Sequence, residues 1–505
     1  MSKNYRPVVD RAHARAGSRS GPISAKELLD ATQSAVHALE KIKGVKEIEA
    51  YASTNQLNIL RMAYATNVPS NGLEEPKSLT DFGLSIRVLF SDGKIGFGKQ
   101  PSDISLAAAK KAFDKARKNT VLDTDFKSLP SPGKKKPVKC EFDKQIVQLN
   151  PEKAVDAAYA CLNGAIDFLE KKKFYQNLNI TGELDFFTEK MAISNSNGVK
   201  ASDQNTAAIG KLTTIFELDK TVSGMAHDSN VFMKKINPYK IGSESAEKAF
   251  SLMNPTTMES GEHKVVFGRT AVAELMYSRF EVGLGSIEVN ATPFGLALLD
   301  KQIASEQLSV SDNGIMEGSI GTKSVTDEGL ATQNTKLVDK GTLVNFLSND
   351  YYKKKFSEIE RTVPSNGFRF GGGGRHYSAE PGISHTNIEI QSGRFSDEEL
   401  IKEVGNGIYI GRLWYTYPVN GLASADFTST VRGDSFLIEN GEKTTPVTPN
   451  TLRINENLSR LFMSIIGLSK QKKQVIAWGE DAVVVTPEIA VSKARLEKIA
   501  VGLYS

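Results

Sequence analysis

Residues 84–98 read LSIRVLFSDGKIGFG, and this stretch sets the fold class. Leu84–Phe90 and Lys94–Gly98 are apolar, β-branched runs on either side of Ser91-Asp92-Gly93. An Asp-Gly pair accepts positive φ and closes a hairpin. A helical pattern over Ser102–Lys118 follows, with Ser102 or Asp103 as its cap. Ahead of the hairpin, Leu28, Leu29, Val36, Leu39 and Ile42 mark a helix over Ser24–Ile42 that ends at Gly44. Glu47–Ser53 and Asn55–Ala65 read as strand-like segments.

The same order recurs. Leu129–Pro137 (LPSPGKKKP) has the Pro, Gly and charge of a linker. Pro151–Lys172 is a long helix with proline at its first position. Strands over Leu178–Phe187 and Met191–Ser194 lead to an Asn197-Gly198 turn, and Ala207–Leu218 pairs back. Past Gly261 the pattern changes. Val265–Phe267 is a short strand and Thr270–Phe280 a helix, after which short alternating runs dominate. They are punctuated at Asp312-Asn313-Gly314, Lys340-Gly341 and Asn440-Gly441. Ser396–Val404 is the clear helix there, its Ser396 and Glu399 forming a capping box. The fold expected is α+β: a flexible basic tail over 1–22, α+β parts over 23–130 and 137–255, and a large β-rich C-terminal domain over 260–505.

Composition narrows the function. The chain has 505 residues, 63 basic against 59 acidic, for a net charge of +4. A balance so near neutral gives no overall electrostatic footprint for nucleic acid. Apolar runs such as Leu461–Leu468 are far shorter than a bilayer requires, so no membrane partner is expected. The polar, basic start lacks the apolar core of a secretory signal. Two cysteines, Cys140 and Cys161, build neither a disulfide framework nor a Cys-rich zinc site and suit the cytoplasm. Lysine triplets at 134–136, 171–173 and 353–355 read as solvated faces. The phosphate-cradling and nucleophile-elbow signatures are absent, and Glu288 spoils the dinucleotide pattern begun by Gly283-Leu284-Gly285. None of the six histidines pairs at the spacing of a helical zinc site. His376 and His385 bracket a Gly/Pro-containing loop. Gly371–Gly374 is either a flap or close backbone approach, or an irregular loop.

Several segments in fixed order carry a resemblance. They are Phe82–Val88, Asp92–Phe97, the helix over 102–118, Ser194–Gly198, Thr326–Leu330, Thr335–Gly341, Thr386-Asn387, Ala425–Phe427 and Phe436–Val447. In these the chain resembles the TldD/PmbA family, whose members include zinc-dependent peptidases and partner subunits that lack the metal site. The resemblance runs from about Gly44 to the C-terminus. It implies a His-Glu-x-x-x-His helix opening the C-terminal domain, with a cysteine near the C-terminus as third ligand. Here Leu275, Met276 and Phe280 stand at those helix positions, and Val475–Pro487 holds no cysteine.

The resemblance therefore implies the metal-free PmbA/TldE-type subunit, with no cofactor of its own. Zinc would sit in a TldD-like partner, and unfolded peptides would be the substrates. It also implies peptide capture by strand addition, with the Gly371–Gly374 loop and the strands around Ile388 and Ile438 as walls. Two alternatives stay open. One is an active peptidase with a non-standard site built from Asp327, Glu328, His376, His385 or Asp426. The other is a peptide- or protein-binding homodimer. Arg269, Arg279 and Glu281 are candidates to reach across an interface, and the Thr270–Glu281 helix is expected to be buried.

Overall fold

The computed structural model describes residues 22–66, 68, 71–74, 76–277, 296–371, 374–420, 424–477 and 482–499. The basic tail, Arg279, Phe280, Glu281 and the Trp478-Gly479 stretch lie outside them.

An N-terminal α+β region precedes a larger, mostly β C-terminal domain. The Asp92-Gly93 turn joins β3 (Lys77–Phe90) to β4 (Lys94–Pro101), with Gly93 at φ +83°. These strands belong to an eight-stranded antiparallel sheet with β1 (Val45–Ala65), β2 (Gly72–Leu73), β5 (Thr120–Leu122), β6 (Leu178–Asn195), β7 (Lys200–Phe216) and β8 (Val222–Asn230). Along it the order is β5-β4-β3-β1-β6-β7-β8, and β2 pairs with β1. Both α+β parts of the sequence thus contribute to one sheet, joined where β1 meets β6 from Glu49↔Asn195 to Ala65↔Asn179.

The period-two pattern of a strand gives this sheet two faces. Even-numbered residues of β1 and β6 pack against helices. Ile48, Ala50 and Ala52 meet α1 (Ala25–Leu39) and α2 (Leu106–Lys118). Leu60, Met62, Leu184 and Phe186 meet α4 (Pro151–Lys172) and α5 (Pro238–Ser251), while α3 is the single turn Lys144–Val147. Odd-numbered residues face the C-terminal domain, where Tyr51, Met191 and Ile193 pack with Val325 and Tyr377.

Caps and turns follow local chemistry. Ser24 and Glu27 form a capping box on α1. Ser105, rather than Ser102 or Asp103, caps α2, and Asp103 accepts the Ser105 N–H at 2.8 Å. Asn440 and Gly441, at φ +53° and +79°, close the strands Ser435–Glu439 and Glu442–Pro446 as the Asn-Gly pair predicts.

Two further corrections share one cause. Glu47–Ser53 and Asn55–Ala65 are a single strand of 21 residues, and Leu178–Phe187 and Met191–Ser194 are a single strand of 18. The polar residues at these places are buried and find partners far along the chain. Asn55 donates to the Arg375 carbonyl at 3.1 Å, and Lys190 Nζ to the Ile23 carbonyl at 2.9 Å.

The C-terminal domain holds a nine-stranded and a six-stranded sheet around its own core. Strand β9 (Gly261–Phe267) feeds α6 (Arg269–Met276), which packs against strands Leu413–Val419, Lys473–Ala477 and Ala482–Thr486. Every residue from Ala271 to Met276 is buried, as expected of this helix. Among the described residues no helix is long and apolar enough to cross a membrane.

α4 and α5 cross closely at a glycine pair. A Cβ on Gly164 would lie 2.0 Å from the Tyr239 carbonyl oxygen, and one on Gly242 would lie 1.9 Å from that of Cys161. Gly164→Val should force these helices apart and destabilise the chain by about 1–3 kcal/mol, the usual cost of overpacking, read as a lowered urea midpoint.

Candidate functional site

Strands β1, β3, β6 and β7 carry charges in mid-strand on the face that meets the C-terminal domain. Glu49 accepts Arg87 Nη2 at 2.9 Å and also pairs with Arg369. The Arg369 guanidinium lies 4.5 Å from the centre of the Tyr51 ring, and its backbone N–H donates to Asp327 at 2.7 Å. Asp327 also accepts the Tyr51 hydroxyl at 2.8 Å and Arg375 Nε at 2.8 Å. Arg375 then reaches Asp203 at 2.7 Å and the Val325 carbonyl at 2.7 Å. Its backbone N–H donates to Glu189 at 2.7 Å, and Glu189 takes Lys323 Nζ at 2.9 Å.

Four acids thus balance four bases out of water: Glu49, Asp203, Glu189 and Asp327 against Arg87, Arg369, Arg375 and Lys323. Burial works against the charge on Arg375, but Asp327 and Asp203 outweigh it and raise its pKa well above the usual arginine value. Burial also opposes ionisation of Glu189, and Lys323 and Arg375 overcome it, lowering its pKa. Tyr51 is driven the other way, by burial and then by Asp327, so it stays a hydrogen-bond donor.

The residues singled out from sequence occupy different places. Asp327 and Glu328 sit in or beside this network. Glu328 accepts the Asp350 N–H at 2.9 Å, and the Asp350 carboxylate accepts Lys354 Nζ at 2.6 Å. Lys354 also donates to the Ser128 and Leu129 carbonyls at 3.1 Å. It is a strut between halves of the chain rather than part of a solvated face. His376 bonds Asp81 through Nε2, and its Nδ1 lies 2.7 Å from Ser378 Oγ, a tie from β3 to the loop after the glycines. His385 is buried, and burial lowers its pKa to about 4. Asp426 lies apart in the nine-stranded sheet, accepting from Asn457 at 2.9 Å and Asn420 at 3.1 Å. Arg269 is engaged within the chain, by Asp397 at 2.8 Å and Glu488 at 3.1 Å.

Strand addition has no place at the walls expected for it. The strand of Ile388 is paired on both sides, by Val310–Asn313 and Ala482–Thr486. The strand of Ile438 is likewise paired on both sides, by Gly407–Ile410 and Glu442–Pro446. At the glycine run, Gly374 is crowded by side chains rather than approached by another backbone. Its φ is +138°, and a Cβ there would lie 2.7 Å from the Phe187 ring. Gly374, Glu189, Lys323 and His385 line a cavity of about 60 Å³ that adjoins a cleft of about 350 Å³.

The positions that the resemblance links to metal hold Leu275 and Met276, both buried and apolar, which supply no ligand. Glu274 is also buried on α6, with the charge of Arg412 acting on it. Its carboxylate went unread in the sequence, although it interrupts the apolar run AVAELM. Among the described residues no three His, Cys, Asp or Glu side chains are grouped as a metal ion requires.

Two consequences can be measured. Arg375→Ala would leave Asp327 and Asp203 buried without their partner. It should cost about 3–5 kcal/mol of unfolding free energy in urea titrations. Burial, then the neighbouring Asp350 carboxylate, raise Glu328 to about 8. Its proton is thus held more tightly in the folded chain than in the unfolded one. The resulting stability is complete below the ordinary glutamate pKa and is lost as pH rises towards 8. Glu328→Gln should therefore gain on wild type between pH 5 and 8, by at most about 1.4 kcal/mol per pH unit.

Comparison with known proteins agrees with this architecture. Residues 260–499 match the PmbA/TldA metallopeptidase C-terminal domain. The metalloprotease TldD homolog of Buchnera aphidicola subsp. Acyrthosiphon pisum is 24% identical over 351 residues, covering 66% of this chain and 69% of that protein. The metalloprotease PmbA of Escherichia coli O157:H7 is 23% identical over 229 residues, covering 45% and 46%. Among solved structures, TldE from Thermococcus kodakarensis has a TM-score of 0.78 at 20% identity, covering 92% of this chain and all of that one. A protein of Thermotoga maritima has a TM-score of 0.76 at 22% identity, covering 92% and 99%.

Proposed function

Because the chain belongs to the TldD/PmbA metallopeptidase family, we propose that it is the non-catalytic partner of a zinc-bearing, TldD-like subunit. On this proposal the complex works in the cytoplasm and degrades or processes unfolded peptides. The observation that carries it is the interior of α6. At the positions where the resemblance implies a histidine and its neighbouring glutamate in catalytic members, this chain has Leu275 and Met276, each at most 1% exposed. A carboxylate or imidazole there could polarise a metal-bound water, and a packed isobutyl or thioether side chain cannot take that part. These side chains instead complete a core shared with Val272, Phe346 and Val484, so the helix keeps its place in the fold without a metal.

The division of labour follows from chemistry. A subunit that lacks ligands contributes surface, orientation and substrate contacts, while the hydrolytic step belongs to the subunit that holds zinc. The test is metal content and peptidase activity of the purified chain, alone and mixed with the zinc-bearing homologue from its own host. Alone it should hold less than a tenth of an equivalent of zinc and leave unfolded peptides intact, and the mixture should gain activity over the homologue alone. One equivalent of zinc together with peptide cleavage by the chain alone would overturn the proposal.

A further inference from the structure

The tie between β3 and the loop after the glycine run has a chemistry of its own. Its members are Asp81 on β3, His376, and Ser378 on the loop. The backbone N–H of Ser378 points at His376 Nδ1, 3.1 Å away. A backbone N–H can only donate, so Nδ1 is the lone-pair nitrogen of the neutral ring and Nε2 carries the proton. That proton faces the Asp81 carboxylate, which also accepts the Tyr377 hydroxyl at 3.3 Å. With Nδ1 an acceptor, the Ser378 hydroxyl donates to it at 2.7 Å. A serine proton is thus turned on a base whose far side is held by a carboxylate, the arrangement that activates a hydroxyl as nucleophile. The N–H already satisfies Nδ1, so the hydroxyl is surplus to the tie itself.

Reagents from solution can reach these groups. Ser378 is half-buried, and the side chains of His376 and Asp81 are 13% and 46% exposed. Lys99 brings a cation to the same residue, its Nζ donating to the Ser378 carbonyl at 3.4 Å. Alternation along β3 puts Leu79 on the face that bears Asp81, opposite Leu57 of β1. Leu79 is 55% exposed, an apolar surface beside the polar groups.

We infer that Ser378 is a nucleophile toward carboxylic esters with short apolar acyl groups. His376 is its general base, Asp81 a positioning residue, and Lys99 the cation for the developing oxyanion. Ser378 Oγ adds to the ester carbonyl carbon as its proton passes to His376 Nδ1. The charge gathering on the carbonyl oxygen is met by the Lys99 ammonium. The bond to the alcohol oxygen then breaks, and the departing alcohol takes the proton from Nδ1. This leaves an acyl group on Ser378. Water, deprotonated by Nδ1 in its turn, releases the carboxylic acid and restores the serine. An alkoxide leaves more readily than an amide nitrogen, so esters are the substrate class, and the reaction is separate from the peptide hydrolysis assigned to the zinc-bearing partner.

The experiment uses the full chain, without a partner, with a rhodamine-tagged fluorophosphonate and with p-nitrophenyl butyrate. Peptide mapping should place the phosphonyl group on Ser378, and the ester should release a burst of p-nitrophenolate of roughly one equivalent per chain. Ser378→Ala keeps the N–H that bonds Nδ1, so it removes the hydroxyl without loosening the loop. It should cut labelling and burst at least tenfold with the thermal midpoint in place. His376→Gln should do the same. Asp81→Asn should slow acylation at least fivefold, and Asp81→Glu should restore part of the loss. Lys99→Met should slow the ester reaction.

Labelling on other residues, labelling undiminished in Ser378→Ala, or labelling no faster than that of the heat-unfolded chain would each overturn the inference. Loss of labelling with 1,10-phenanthroline would assign the reaction to a metal and overturn it as well. A chain labelled at Ser378 that adds nothing to the zinc-bearing homologue would refute the subunit role and leave the serine standing. The reverse pattern would refute the serine alone.

Discussion

Arg375 is the pivot of this molecule. One guanidinium, fully enclosed, joins an aspartate from its own domain, Asp327, to one from the N-terminal sheet, Asp203. Its backbone N–H adds Glu189 from a second strand of that sheet, β6. Burying a charge is tolerated only when the surroundings return what water supplied, through partners and hydrogen bonds together. Here the return comes from both halves of the chain at once. The halves are therefore held in one relative position by geometry-sensitive bonds as well as by apolar packing, which alone would allow sliding.

That arrangement explains which features the sequence discloses. The Asp92-Gly93 hairpin, the Ser24 and Ser396 capping boxes and the helix beginning at Pro151 rest on local chemistry, and they fold as their residues suggest. The interiors of β1 and β6 do not. Alternation fails at Thr54-Asn55 and at Thr188-Glu189-Lys190, where the sequence alone ends one strand and begins the next. Their partners come from distant parts of the sequence: Asn55 donates to the Arg375 carbonyl, Glu189 accepts the Arg375 N–H, and Lys190 donates to the Ile23 carbonyl. At Asn55 and Glu189 that polarity marks the contact between domains, and a local pattern cannot tell a paired buried charge from a solvated one.

The candidate site was legible to a similar degree. Asp327, Glu328, His376 and His385 were visible as unusual residues, and all four lie where the N-terminal sheet meets the C-terminal domain or beside that junction. Their roles were not visible. Asp327 is enclosed by two arginines and a tyrosine, His376 ties a strand to a loop, and His385 is buried with its Nδ1 unpaired. Glu49, Arg87, Asp203, Arg369 and Arg375 went unremarked because each looks like an ordinary surface charge until its partner is known. A charge flanked by apolar residues within a strand, as Arg87 is between Ile86 and Val88, was the available signal.

The distribution of those charges along the chain bears on how the protein is made. The ribosome completes the eight-stranded sheet before it reaches residue 323. Until then the face bearing Glu49, Asp203 and Glu189 has Arg87 as its one cation from this network. A nascent chain paused at that stage carries an acidic, partly apolar surface awaiting Lys323, Arg369 and Arg375. Maturation is thus ordered in time: the N-terminal half is assembled early but becomes neutral on that face only when the last third of the sequence emerges. Such a waiting surface is exposed to unwanted association during synthesis. The same three cations that lock the finished fold also end that exposed period.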